Sequence, residues 1–360
     1  MSPTTQKILG SPAPAAPWKI YDDWPVPAPG QKDVLIKVIA AALNPADVGI
    51  QSATTQPPMI QGYPFIGGLD GAGIIEEVGA EVTSFAKGDK VLFPGGFEQN
   101  RATFKQYTVV PATNVAKIPE NLSFEQAASV PLCLATVATG IWAHEPGAKS
   151  LEFPAPWEEE GLTKFNGKAA FISGGSSSVG QYAIQLAKLQ GFSPIITTSS
   201  LKHTDYLKSL GATHVLDRSL PPAKLLAQLP ELTAGQPIVY AYDAISAAET
   251  QHLAYDALAP GGGLVVTHPF SVEILAEREE RDGGSKKVAR PYASLQWPGN
   301  VRLGEELYAR LTEWLEKGIV VPNRVEVLPN GLAGIPEGLE RMKNNQVSGV
   351  KLIAHPQETV

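Results

Sequence analysis

One stretch constrains the fold more than any other. Residues 169–173, Ala-Ala-Phe-Ile-Ser, read as a buried strand, and Gly174-Gly175-Ser176-Ser177-Ser178-Val179-Gly180 follows as a turn. From Val179 to Gln190, Val179, Ala183, Leu186 and Ala187 then share one helical face. The alternation continues with a strand at Pro194–Thr198, a helix at Asp205–Leu210 stopped by Gly211-Ala212, and a strand at His214–Asp217. Strands four and five fall at Pro237–Asp243 and Gly263–His268, with a helix-compatible stretch between them. Strands alternating with helices at this spacing predict an α/β fold with a doubly wound parallel sheet of the Rossmann type.

The flanks have another texture. Val34–Ile39, Gly73–Val78 and Lys90–Phe93 are short strand signals, separated by Gly30, Gly79, Gly88 and Gly95-Gly96. They predict an antiparallel or barrel-like domain. Near the end, Leu303–Lys317 is an amphipathic helix closed by Gly318, and Arg324–Leu328 is a strand. We therefore expect a discontinuous first domain, 1–133 and 301–360, around a sheet domain at 134–300. Glu145–Leu162, with three prolines and Glu158-Glu159-Glu160, reads as an exposed insertion or linker.

A strand-to-helix turn rich in glycine suits a dinucleotide pyrophosphate. Backbone can approach closely, amide N–H groups are free, and the helix N-terminus aims positive charge at the anion. Gly174-Gly175 gives the tight turn, Gly180 lets the helix pack on the strand, and Ser176, Ser177 and Ser178 add hydroxyls and capping chemistry. The strict fingerprint has glycine where Ser177 stands. An NAD site places an acid about 20 residues further on. Here that strand ends Thr197-Thr198-Ser199-Ser200, with Lys202 and His203 next and no acid before Asp205. Hydroxyls with cations, Arg218 among them, suit a 2′-phosphate, so NADPH is the expected cofactor.

Composition excludes other classes. With 36 acids against 29 bases and no basic run, the net charge of −7 speaks against a nucleic-acid partner. A single cysteine, Cys133, excludes intramolecular disulfides and clustered-thiolate zinc sites. His144, His203, His214, His252, His268 and His355 show no ligand spacing. Met1–Gly10 lacks a basic flank before an apolar core. Val130–Trp142 is interrupted by Thr136, Thr139 and Gly140 and reads as too short for a bilayer. The expectation is a cytoplasmic protein with no membrane partner.

Several blocks carry a family resemblance: Ala42-Leu43-Asn44-Pro45-Ala46-Asp47, Gly68-Leu69-Asp70-Gly71-Ala72-Gly73 with Val78-Gly79, Val130-Pro131 and Thr136. The Gly174–Gly180 turn with Ala183–Lys188, Leu210-Gly211-Ala212, Pro260-Gly261-Gly262 and Gly349-Val350-Lys351-Leu352 complete the collinear set. Together they resemble the medium-chain dehydrogenase/reductase superfamily, in its zinc-free quinone oxidoreductase and enoyl reductase branch, and are similar to fungal trans-acting enoyl reductases. The resemblance implies a GroES-like, β-barrel-type catalytic domain and a Rossmann cofactor domain, with the active site in a cleft between them. By position, Asn44, Ala46, Asp47 and Thr136 would lie near the nicotinamide and its ribose. Gly174, Gly175 and Ser176–Gly180 would cradle the phosphates, and Ser199, Ser200, Lys202, His203 and Arg218 the 2′-phosphate end. Val266, Thr267, His268, Val347 and Ser348 would line the nicotinamide.

Zinc-dependent relatives hold their metal at positions that correspond to Asn44, Leu69 and Leu132, none a normal ligand; Cys133 is one residue off the third. No metal is expected. A quinone or a C=C conjugated to a carbonyl can accept hydride directly from NADPH, with the protein positioning the partners and stabilising the oxyanion. Asn44, Tyr63 and Thr136 are the candidate catalytic residues; Gly49 stands where some relatives carry a Tyr or Lys. Segments 51–62 and 282–300, with Arg281, Arg290, Tyr292 and Trp297, are expected to rim the site. Three readings stand: a small-molecule enone or quinone reductase, a trans-acting enoyl reductase using a carrier-protein-bound polyketide thioester, and a non-catalytic NADPH-binding structural or sensor protein. Either a monomer or a homodimer is compatible with the chain.

Overall fold

The computed structural model describes residues 3–268 and 272–360. Met1 and Ser2, at the start of Met1–Gly10, and Pro269, Phe270 and Ser271, within the expected sheet domain, lie outside the described residues. In chain order the elements begin with β1 (Thr5–Ser11), β2 (Lys19–Pro25), β3 (Asp33–Ala42), α1 (Pro45–Gln51), β4 (Phe65–Ile66) and β5 (Asp70–Val78). Next come β6 (Lys90–Pro94), β7 (Tyr107–Pro111), β8 (Ala116–Lys117), α2 (Phe124–Ala128) and α3 (Pro131–Trp142). The alternating part is β9 (Ala169–Ser173), α4 (Ser178–Leu189), β10 (Ile195–Ser199), α5 (Thr204–Leu210), β11 (His214–Asp217), α6 (Pro222–Leu232) and β12 (Ile238–Asp243). It continues through α7 (Ala248–Ala257), β13 (Gly263–Val266), α8 (Ala276–Arg281) and β14 (Lys287–Ala289). The chain closes with α9 (Val301–Glu316), β15 (Val325–Val327), α10 (Ile335–Lys343) and β16 (Lys351–Ala354).

Two compact units result: Met1–Leu132 with Glu305–Gly318 and Pro322–Val360, and Cys133–Gly304 with Ile319–Val321. The first is the GroES-like unit. Its larger sheet runs β15-β16-β3-β5-β6-β8, with β7 also on β3; a smaller one runs β2-β1-β4. Pairing is antiparallel apart from β15 with β16. β3 is apolar on both faces because both are covered. Val34, Ile36 and Val38 join the main core with Leu332, Ile335 and Leu339, while Leu35 packs with Tyr107 and Val109.

The second unit holds a parallel sheet in the order β11-β10-β9-β12-β13-β14. Every residue of β9 is buried, as a central parallel strand requires, and this makes its sequence a continuous apolar run. The order reverses between β9 and β12, so their carboxyl ends form the topological switch point of the sheet.

Three expectations need correction. The fifth strand ends at Val266, leaving Thr267 and His268 outside it, and a sixth strand, β14, follows. Glu145–Leu162 is not simply exposed. Leu151 and Ala155 are buried, Trp157 sits edge-on to Trp142 at 5.6 Å, and Phe153 packs 4.4 Å from Phe165. Between its prolines and acids the segment alternates apolar residues that close over the sheet. Finally, the apolar stretch extends back to Phe124, giving nineteen residues of sufficient hydropathy for a membrane span, yet 78% of it is buried in the fold as core.

Candidate functional site: a dinucleotide turn and a buried polar cluster

The turn between β9 and α4 is built by close backbone approach. Gly174 has φ +75°, and its N–H donates to Thr198 Oγ1 at 3.2 Å; the Gly175 N–H donates to the Thr198 carbonyl at 3.0 Å. A Cβ on Gly175 would fall 2.2 Å from Thr197 Oγ1, and one on Gly180 would fall 2.3 Å from the Gly174 carbonyl. Gly180 therefore serves the helix against the turn's own backbone, and not against the strand as the sequence suggested. Ser177 is the N-cap: its Oγ accepts the Gly180 N–H at 3.0 Å, which commits that hydroxyl to the helix. Ser176 and Ser178 are half-buried beside it, as is Val179.

At the carboxyl edge of the sheet two hydroxyls are orphaned. Ser173 Oγ, ending β9, and Ser199 Oγ, ending β10, are buried without a hydrogen-bond partner among the described residues. Buried polar atoms without partners are uncommon, and a pair of them beside an open helix N-terminus fits a polar, phosphate-bearing ligand. Beyond Ser199, Ser200 accepts the His203 N–H at 3.0 Å across the turn Leu201–His203; Lys202 is exposed and His203 buried. The Arg218 N–H donates to the Ser199 carbonyl at 3.0 Å, so these cations flank one strand end.

Sequence reasoning missed two acids there. Asp217 pairs with Ser199 in the parallel register, which only strand pairing could have revealed. Its Oδ1 accepts the Ser219 N–H at 2.9 Å, and hydrogen bonds from Ser219 hold the carboxyl below its ordinary range. Asp243 ends β12 opposite Ser173; burial pushes its carboxyl up, while Ile245 N–H and Thr250 Oγ1 donate to it. Thr267 N–H and Oγ1 both donate to the Asp243 carbonyl, and the His268 N–H donates to Ser246 Oγ. The Val266–His268 segment is thus laced to the end of β12. Thr136, nearly buried in α3, accepts Tyr242 Oη at its carbonyl.

In the first unit the polar residues form an internal cluster. Asp47 is fully buried and accepts two backbone N–H groups, from Asn44 and Gly68, each at 2.9 Å. Burial pushes its carboxyl up to about 7. Asp70, also fully buried, accepts Asn44 Nδ2 at 2.8 Å and the Leu132 N–H at 2.6 Å, and pairs with Lys351 at 3.1 Å. Lys351 Nζ also donates to Asn44 Oδ1 at 2.5 Å. The sequence placed Asp70 and Lys351 in separate motifs; the fold joins them around Asn44. Ala46 is exposed, Tyr63 half-buried, Val347 half-buried against the core, and Ser348 exposed. Asn44, Ala46, Asp47, Tyr63, Val347 and Ser348 belong to the first unit, and Thr136 with the whole turn set to the second.

Comparison with known proteins fits both units. Residues 30–120 match the alcohol dehydrogenase GroES-like domain, and residues 178–268 match the zinc-binding dehydrogenase family. The chain is 32% identical over 350 residues to the trans-enoyl reductase caaB of Aspergillus niger, covering 93% of each protein. The chain belongs to the medium-chain dehydrogenase/reductase superfamily. A quinone oxidoreductase of Pseudomonas syringae shares its fold at a TM-score of 0.73 and 24% identity, covering 97% of this chain and 100% of that one. A mycobacterial protein solved in complex with NADPH gives a TM-score of 0.73 at 20% identity, covering 98% and 100%. As a superfamily member the chain is an oxidoreductase of the NAD(P)H-binding kind.

The zinc in the matched family's name finds no fit in these residues. Asn44 has its amide engaged, Leu69 and Leu132 offer no donor, and Cys133 is buried. Among the described residues no group of three His, Cys, Asp or Glu side chains is placed to hold a metal ion.

Proposed function

We propose that the chain is an NADPH-dependent reductase that adds hydride to an activated acceptor, a C=C conjugated to a carbonyl or a quinone, without a metal. The donor set at positions 44, 69 and 132 carries this reading. Oxidising an alcohol leans on a Lewis acid to acidify the hydroxyl, whereas a polarised C=C is already electrophilic. Bound NADPH would supply the hydride from C4 of its nicotinamide.

The chain's own residues do the remaining work. Gly174, Gly175 and Gly180 let the α4 N-terminus meet the pyrophosphate, with Ser176, Ser178 and Val179 around it and Ser177 fixing the cap. Ser199, Ser200, Lys202 and Arg218 hold the 2′-phosphate, with buried His203 supporting their turn. Val266, Thr267, His268, Val347 and Ser348 are assigned to the nicotinamide on the family resemblance. Asn44 and Asp47 act as positioning residues, since their polar atoms are engaged by Asp70, Lys351, Gly68 and each other. Tyr63 and Thr136 are the groups assigned to steady the oxyanion that forms when hydride adds.

A second reading, an enoyl thioester carried on a partner protein, draws support from the similarity to a trans-enoyl reductase along nearly the whole chain. The test is oxidation of NADPH by the purified protein with a quinone, an enal, an enone and a free enoyl thioester, with NADH in parallel. Turnover on one class supports reduction and begins to fix the acceptor. Oxidation only with a carrier-bound thioester selects the second reading. Tight NADPH binding with no turnover on any of these, the carrier-bound thioester included, would leave a non-catalytic binding protein and defeat both.

A further inference from the structure

A cleft of about 350 Å³ lies in the first unit; apart from Gln61 and Gly62, at the end of the 51–62 segment expected to rim the site, its lining residues have no role assigned so far. It is lined by Gln61, Gly62, Phe65, Phe97, Glu98, Gln99 and Asn100. The Glu98 side chain folds back over Gly96, where a Cβ would sit 2.7 Å from Oε2. The 97–100 wall is tied down from beneath. Gln99 Nε2 donates to the Pro64 carbonyl at 2.8 Å, Asn100 accepts Thr108 Oγ1 and the Val109 N–H, and Glu98 accepts the Arg101 and Ala102 N–H groups.

The deepest tie is unusual. Lys105 is 1% exposed, and its Nζ donates to the Gln99 carbonyl at 2.6 Å. No carboxylate pairs with it among the described residues. Burial alone drives the amine well below its ordinary pKa, so the site keeps a costly group that the proposed hydride transfer does not use. A buried lysine aimed at one loop carbonyl fixes that loop, and this loop is the wall of the cleft.

We propose that this cleft binds an uncharged, planar carbonyl compound, with Lys105 as the positioning residue of its 97–100 wall. Two phenylalanines in the lining suit a flat ring or conjugated chain. The side-chain N–H groups of Gln61 and Asn100 can donate to a carbonyl oxygen. The Glu98 carboxylate disfavours an anion. The volume sits at the small end of ligand sites, room for a bicyclic quinone or a short enone. The choice of a carbonyl ligand rests on the acceptor class proposed above.

The test uses the full chain and menadione, a neutral naphthoquinone, with 1,4-naphthoquinone-2-sulfonate as its anionic counterpart. Dissociation constants are measured by equilibrium dialysis without nucleotide, and NADPH oxidation is followed separately. Phe97→Ala should weaken menadione about tenfold, the loss expected for one aromatic wall. Lys105→Met should weaken it about fivefold while leaving NADPH affinity unchanged, whereas a lysine that serves stability alone would move the melting temperature and leave menadione affinity as in the wild type. Glu98→Gln should let the sulfonate bind as menadione does. Menadione that fails to bind, or binds the Phe97 and Lys105 variants as it binds the wild type, overturns the proposal. If menadione follows this pattern but does not oxidise NADPH, the cleft stands and the quinone reductase reading falls. If turnover and affinity ignore Phe97→Ala, the reductase reading stands and the cleft falls.

Discussion

Gly180→Ala tests the cofactor turn at its tightest point. The new Cβ would lie 2.3 Å from the Gly174 carbonyl oxygen and 2.9 Å from Gly175 Cα, both backbone atoms that no side-chain rotation can move. Ordinary contact begins near 3.4 Å, so α4 and the turn must part by about 1 Å. Overpacking of this kind costs about 1–3 kcal/mol. In a unit of this size that lowers the melting temperature by about 2–12 °C. The same displacement draws the α4 N-terminus from the pyrophosphate, and if the whole cost is felt there, NADPH affinity falls about 5- to 150-fold. Nucleotide fluorescence titration and thermal melting read the two effects. Gly191→Ala separates them. At the far end of α4, with φ +82° and a Cβ 2.0 Å from Asn166 Oδ1, it should lower the melting temperature and leave NADPH affinity alone. If Gly180→Ala melts early but binds NADPH like the wild type, the turn is not the phosphate site and the reasoning fails.

Lys202→Ala with Arg218→Ala should cut the preference for NADPH over NADH at least about tenfold, read as the ratio of the two affinities; an unchanged ratio removes both cations from the 2′-phosphate site. Lys351→Met leaves the buried Asp70 carboxylate without its cation and should cost about 3–5 kcal/mol in denaturant unfolding, with part recovered when Asp70→Asn is added; a neutral single variant would show the pair to be dispensable. Asp47 has its carboxyl raised from 3.8 to about 7, so the folded chain binds more protons than the unfolded one in that window. Its contribution is present below about pH 4 and lost as pH rises through about 7; the wild type should lose stability across that range relative to Asp47→Asn, and parallel pH profiles would contradict the assignment. Dialysis against EDTA should leave NADPH oxidation unchanged, and added zinc should not raise it; loss on chelation with recovery on zinc would overturn the metal-free reading.

The parts of the molecule legible in sequence are those whose physics is local. A central parallel strand buried on both faces must be a continuous apolar run, and Ala169–Ser173 is one. A helix that starts on glycine and serine announces its own N-terminus at Ser177. What stayed hidden depends on residues far apart in the chain. Asp217 meets the end of β10 only through strand register, and Lys351 reaches Asn44 across 307 positions. β14 is three residues long, too short to leave a periodic signal. Lys105 misleads in the opposite sense, since a lone lysine in a sequence reads as a surface residue until its burial is seen. In Glu145–Leu162 the prolines and acids masked Leu151, Phe153, Ala155 and Trp157, whose every-second-residue spacing is interleaved with Glu152, Pro154 and Pro156 and so does not read as a strand.

The expected indifference to chelation follows from how the first unit is tied together. Asp47 joins the Asn44 turn to Gly68, and Asp70 joins Asn44 to Leu132, so three stretches of chain converge on two buried carboxylates. Two acids this close need a cation or a proton. Lys351 supplies the cation to Asp70, and the raised pKa of Asp47 marks the second acid as the one left to desolvation. A metal could perform the same cross-linking, but its loss would unfasten the segments. An ammonium on β16 cannot be extracted, and it arrives only when the last strand pairs with β3. The geometry around Asn44 is therefore set by completion of the sheet, and a truncation before Lys351 should disorder that turn even though it lies more than 300 residues earlier.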